Sequence, residues 1–114
     1  MAEKIVENTA GILSAIGSEK FYFVNLAIDI SDMCDCVCYG APLLMHDIGV
    51  FGSRDPLALD MATAKAMGDA ERNTAAESSA KVEDLLRKSD TFFQHGVKMK
   101  LGSQDYELVN LSKE

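Results

Sequence analysis

Cys34, Cys36 and Cys38 are all the cysteines of this chain, and they alternate along one short stretch, Cys34-Asp35-Cys36-Val37-Cys38. Thiolates are soft donors that suit iron–sulfur clusters, zinc or copper(I). In an extended segment alternate residues point to one side with α-carbons about 6–7 Å apart, so a modest bend brings three sulfurs together. Such sites usually take four protein ligands. His46, Asp35 or a cysteine of another chain are the candidates for the fourth. The single-residue gap differs from the two-residue gap of ferredoxins and zinc ribbons. The competing reading is that free cysteines are small apolar residues packed in a core. Three thiols cannot all pair within one chain, and neighbours at i and i+2 make a strained disulfide. The cluster therefore points to thiol chemistry or metal ligation before a disulfide framework.

Asp29, Asp32, His46 and Asp47 flank the cysteines. His46 can ligate and Asp47 can orient it, although adjacent residues of a strand point to opposite faces. Asp29, Asp32, Asp47, Asp55 and Asp60 together could build a hard-cation site or an acid–base pair. Asp55 already has a use as a helix cap, and Asp32 as a turn residue. Asp29 and Asp60 stand in apolar surroundings, where a hydrogen bond to loop backbone is the plainer reading. His95, in an amphipathic helix near Gly96, suits a surface or capping role. The chain has no Ser-His-Asp signature, no phosphate-binding glycine loop and no dinucleotide fingerprint.

A chain of 114 residues is one small domain, long enough for a core without staples. Its formal net charge of −7 sets it against phosphate backbones, so no nucleic-acid partner is expected. Its apolar runs are far shorter than the ~20 residues of a membrane span. Met1-Ala2-Glu3-Lys4 has no basic region leading into an apolar run, so no signal peptide is expected and the expected location is cytoplasmic.

The elements that must position these residues follow from periodicity. Ile5, Ile12, Leu13 and Ile16 predict a helix over about 2–16, ended by Gly17 as a left-handed cap. Phe21 to Ile30 predicts a strand, with Tyr22, Val24, Leu26, Ile28 and Ile30 on one face and Phe21, Phe23, Asn25, Ala27 and Asp29 on the other. Apolarity on both faces predicts a central strand covered on both sides. Ligand sites in open α/β sheets lie at the C-terminal ends of strands, where the cysteines begin. Leu43 to Phe51 predicts a second strand. Asp55-Pro56 is a helix start signal, for a helix to about Met67 that Gly68 can stop. Val82, Leu85 and Leu86 mark a helix over about 75–88, with Asp84–Lys88 among its favourable pairs. Thr91 and Gln94 form a capping-box pattern opening a separate last helix, which Gly102 caps. Tyr106 to Leu111 predicts a short final strand.

One ordered set of motifs resembles a family: Phe21-Tyr22-Phe23-Val24-Asn25, Asp29-Ile30, Cys34-Asp35-Cys36, Pro42, Asp47-Ile48-Gly49-Val50, Ser53-Arg54-Asp55-Pro56-Leu57-Ala58-Leu59-Asp60, and Gly102-Ser103-Gln104-Asp105-Tyr106-Glu107-Leu108. It is similar to the C-terminal part of a family of uncharacterised iron–sulfur-centre proteins of bacteria and archaea. The resemblance covers nearly the whole chain. Many members carry an inserted ferredoxin-like segment with two sets of cluster cysteines, which this chain lacks. The resemblance implies an iron–sulfur association and carries over Cys34-Asp35-Cys36, Asp47, Asp55 and Asp60. It departs at His46, where the family has an apolar residue or Pro, and at Cys38.

The sequence thus predicts an α/β domain with a small sheet of about three strands and four helices, as part of a longer family architecture. It predicts apolar surface left for a homo-oligomer or a partner chain to cover. The expected function is an iron–sulfur or zinc site of redox or scaffold type. Its cofactor ligands are Cys34, Cys36 and Cys38, with Asp29, His46, Asp47 and Asp60 as further candidate metal ligands. The alternatives are a structural or interaction subunit, and an enzyme holding a cation between Asp29, Asp47 and Asp60.

Overall fold

The computed structural model describes residues 1–31, 43–72 and 78–111. Cys34, Cys36 and Cys38, with Asp32 and Asp35, lie outside the described residues. The fold is α/β, with a two-stranded antiparallel sheet and three α-helices in the order α1 (Ala2–Ile16), β1 (Phe23–Ala27), β2 (Gly49–Ser53), α2 (Pro56–Asp69) and α3 (Ser78–Lys98). A 3₁₀ turn at Ser18–Lys20 joins α1 to β1.

The sheet is one long hairpin. Phe23 pairs with Ser53, Asn25 with Phe51 and Ala27 with Gly49. Beyond the regular ladder the two arms stay together. The Ile48 amide donates to the Ala27 carbonyl at 2.8 Å and the Leu44 amide to the Ile30 carbonyl at 2.8 Å. A final isolated bridge pairs Ser31 with Leu43. The strand expected over Leu43–Phe51 is therefore regular only from Gly49 on. Gly49 has φ 145, a conformation that glycine adopts without a Cβ penalty, and it lets the arm enter the ladder there.

Helix α2 lies between the sheet and α3, and α1 packs on α3. That position explains the composition of α2. Leu57, Ala58, Leu59, Ala62 and Thr63 are all buried, more than one narrow stripe would supply, because two of its sides are covered. In α1 the buried residues are Val6 and Leu13. Of the stripe read from the sequence, Leu13 faces inward as expected, whereas Ile5, Ile12 and Ile16 stay about half exposed. A core cluster of Leu44, Met45 and Val82 is nearly solvent-free, and Ile30, Ile48, Met67 and Leu85 pack against it. It joins the hairpin arm to α2 and α3.

Several sequence expectations change. The two C-terminal helices are one: nothing between Lys88 and Thr91 breaks the helix, and the Ser89 hydroxyl donates back to the Leu85 carbonyl at 2.9 Å. Thr91 to Gln94 is helix interior, where a capping box has no free amides to bond. The end of α3 is closed by Lys100 rather than Gly102. Lys100 has φ 56, and the Lys100 and Leu101 amides donate to the Val97 and Gly96 carbonyls at 3.0 and 2.9 Å, the paired bonds of a Schellman cap. Gly68 does not stop α2, which continues to Asp69. Instead the Arg72 guanidinium covers the helix end, donating to the Met67 and Gly68 carbonyls at 2.8 and 2.9 Å and also to that of Ala70. Tyr106 to Leu111 is exposed and joins no strand. The pair Asp84–Lys88 forms at 2.7 Å. The Lys88 hydrogen bond, aided by Arg87, holds the Asp84 carboxyl below its ordinary value.

Among the described residues, the sheet is covered on one side only. The residues facing α2 are half-buried or buried, whereas Tyr22, Val24, Leu26, Ile28 and Val50 form an uncovered apolar face, with Leu26 62% and Val50 67% exposed. The central strand expected from two apolar faces is one arm of a hairpin with a bare outer face.

Asp55 is the junction of the fold. Its Oδ1 accepts from the Ala58 amide at 2.9 Å, which caps α2. Its Oδ2 accepts from the Ser103 amide at 2.8 Å, which ties the chain after α3 to the start of α2. Gly102 has no side chain because a Cβ there would stand 1.9 Å from Asp55 Oδ1. Replacing Asp55 with Ala should cost about 1–2 kcal/mol, a cap's worth, with Asp55→Asn costing less. Urea unfolding of the three proteins measures this; a loss in Asp55→Ala below about 0.5 kcal/mol would contradict the assignment.

Candidate functional site

The hairpin arms that carry the ladder also frame the cysteine stretch. Ser31 and Leu43, bridged to each other, are the residues at which the chain leaves and re-enters the described structure. Bridged α-carbons stand about 4.5–5.5 Å apart, so Ser31 and Leu43, the residues that flank the cysteine stretch, lie side by side.

At that base lies a cavity of about 270 Å³ lined by Asp29, Leu43, Met45, His46 and Asp47. Three candidates from the sequence thus meet. The reason is the register of the arm. Leu44 and Met45 turn inward to the core, which leaves His46 and Asp47 exposed beside Asp29 on the opposite arm. Asp29 has φ 49, a left-handed conformation in which Asp is among the few tolerated side chains. Its amide donates to Asp47 Oδ1 at 2.9 Å across the hairpin. The hydrogen bond expected of the Asp29 carboxylate is made instead by the carboxylate of Asp47, and Asp29 takes part through its backbone amide.

Asp60 is elsewhere. It sits on α2, and its Oδ1 accepts from the Asn25 side-chain amide at 2.8 Å. The same amide donates to Thr63 Oγ1 at 3.1 Å. Asp60 lines a second cavity of about 380 Å³ between the helices, to which neither Asp29 nor Asp47 contributes. The three carboxylates of the cation-enzyme reading are therefore split between two cavities. Among the described residues no group of three or more His, Cys, Asp and Glu side chains could hold a metal ion. Asp29, His46 and Asp47 alone are an incomplete set, with one Asp47 oxygen already accepting a hydrogen bond. A closed site in this chain needs further donors, and the thiols of residues 34–38 are the ones adjacent in sequence.

His95 is neither a surface residue nor a cap. Its side chain is 11% exposed, and its Nε2 lies 3.2 Å from Glu7 Oε1, joining α3 to α1. Sequence reasoning also missed Asn25 as the link between β1 and α2, and Arg72 as the closure of α2. A polar residue on the inward face of a strand was the available signal for Asn25.

Comparison with known proteins gives no match: no family model, no curated protein and no solved structure. Among the described residues no helix is long and apolar enough to cross a membrane.

Asp47→Ala removes the acceptor of the Asp29 amide and should lower stability by about 0.5–1 kcal/mol, the net value of one partly solvated hydrogen bond. Asp47→Asn keeps a carbonyl oxygen and should cost less. Hydrogen exchange of the Asp29 amide reads the bond directly; equal protection in wild type and Asp47→Ala would rule it out.

Proposed function

We propose that this chain is a metal-binding domain of redox or scaffold type, with Cys34, Cys36 and Cys38 as thiolate ligands and His46 or a carboxylate at the hairpin base as an additional donor. The observation that supports this reading is the Ser31–Leu43 bridge, which gathers both ends of the cysteine stretch beside the cavity of Asp29, His46 and Asp47. Closing the ends in advance lowers the entropy cost of bringing the three sulfurs to one centre. The donor set is soft and fits an iron–sulfur cluster or zinc. The resemblance to iron–sulfur-centre proteins supports the same choice. A cluster would supply one-electron chemistry, and zinc a structural cross-link.

Metal analysis and absorption spectroscopy of protein purified without oxygen test this. The expected result is bound iron or zinc that Cys34→Ser and Cys36→Ser abolish and His46→Ala weakens. Metal-free protein whose folding is indifferent to all three Cys→Ser changes would refute it.

A second reading, a structural or interaction subunit, draws support from the uncovered face of Tyr22, Val24, Leu26, Ile28 and Val50. Contiguous exposed apolar residues of this kind mark interaction surfaces. Sedimentation analysis should show self-association or a stable complex with a partner chain, reversed by Leu26→Lys together with Val50→Lys. A protein that stays monomeric and unchanged by those substitutions counts against it.

A further inference from the structure

The cavity between the helices has a chemically one-sided lining. Its volume is about 380 Å³. An engineered cavity of about 150 Å³ is known to hold benzene, so there is room here for a chain of six or more carbons. Its walls include Val6, Leu57, Met67, Leu85, Phe92 and Phe93, contributed by all three helices.

The polar groups of the lining decide what head such a ligand would carry. The Thr9 hydroxyl donates to the Ile5 carbonyl at 2.9 Å and the Ser89 hydroxyl to the Leu85 carbonyl at 2.9 Å. The Thr63 hydroxyl donates to the Leu59 carbonyl at 2.8 Å and accepts from Asn25. Asn25 spends its two amide hydrogens on Asp60 and Thr63. Every side-chain donor of the lining is thus committed within the protein. What is left are acceptors, the Asn25 carbonyl, the Thr9 and Ser89 hydroxyl oxygens and, as the one charged group, the exposed Asp60 carboxylate, which accepts one hydrogen bond. A carboxylate offers several acceptor sites and no donor. An anionic or acceptor-only head would meet no donor here and would face a negative charge, whereas an ammonium head would meet a carboxylate already oriented by Asn25. Charge-assisted hydrogen bonds of this kind are the stronger ones.

We infer that this cavity is a binding site for a small amphipathic amine, with the alkyl or aryl body among Leu57, Leu85, Phe92 and Phe93 and the ammonium on Asp60. The site is separate from the hairpin base and does not depend on metal binding there. Asn25 is a positioning residue, since it touches the carboxylate rather than the ligand.

The test is a titration of the intact protein with hexylammonium, and in parallel with 1-hexanol and hexanoate, followed by amide and side-chain NMR shifts. Hexylammonium should bind saturably, shift the Asn25 side-chain amide and the Phe92 and Phe93 rings, and bind at least tenfold more tightly than hexanol. Asp60→Asn, nearly the same shape, should remove that preference while leaving hexanol binding in place. Asn25→Ala should weaken the preference without abolishing it. Equal affinity for the three probes in wild type, a preference that survives Asp60→Asn, shifts mapping outside the cavity, or no saturable binding would each overturn the inference. If Asp60→Asn fails to fold, the wild-type comparison of the three probes still decides.

Discussion

Burial of Leu44 and Met45 against Val82 is the constraint on which the rest of this molecule depends. These residues carry the hairpin's return arm into the space between α2 and α3. With two consecutive residues turned inward, the arm cannot continue as a regular strand, and pairing resumes only at Gly49. The same register sends His46 and Asp47 outward, next to Asp29. Core packing and the geometry of the candidate site are therefore one arrangement: a shift of the arm by one residue would bring His46 or Leu43 into one of the two buried positions.

A second constraint acts at the opposite end of the hairpin. Asp55 caps α2 and binds the Ser103 amide, so the end of β2, the start of α2 and the chain beyond α3 meet at one carboxylate. Two stretches far apart in sequence, Ser53-Arg54-Asp55-Pro56 and Gly102-Ser103, are adjacent for that reason. The close approach of Gly102 to the carboxylate gives the glycine a steric role, where the sequence suggested a helix cap.

Several polar residues in this fold act in pairs between elements. Asn25 with Asp60 fastens β1 to α2, His95 with Glu7 fastens α3 to α1, and Asp29 with Asp47 fastens the hairpin arms. Each of the two aspartates flagged for its apolar surroundings has such a partner. Among the described residues, Asp29 and Asp47 line one cavity and Asp60 another. Among the described residues, the apolar face of Tyr22, Val24, Leu26, Ile28 and Val50 has no element packed over it.

Local signals determined much of this protein. The bounds of α1, the Asp55-Pro56 start of α2 and the hairpin's first strand are legible because capping, proline placement and apolar alternation act over a few residues. Tertiary structure decided what depends on neighbours. That Val6 joins Leu13 on the inward side of α1, while Ile5, Ile12 and Ile16 stay half exposed, is set by where α1 rests on α3. Continuity of α3 through Ser89 to Gln94 follows from unbroken backbone bonding, which competes successfully with a capping pattern. The pairing of Asp29 with Asp47 and the separation of both from Asp60 required coordinates. Spacing along a chain constrains which residues can share a helix or strand face, but the meeting of separate elements is fixed by how their buried sides fit together.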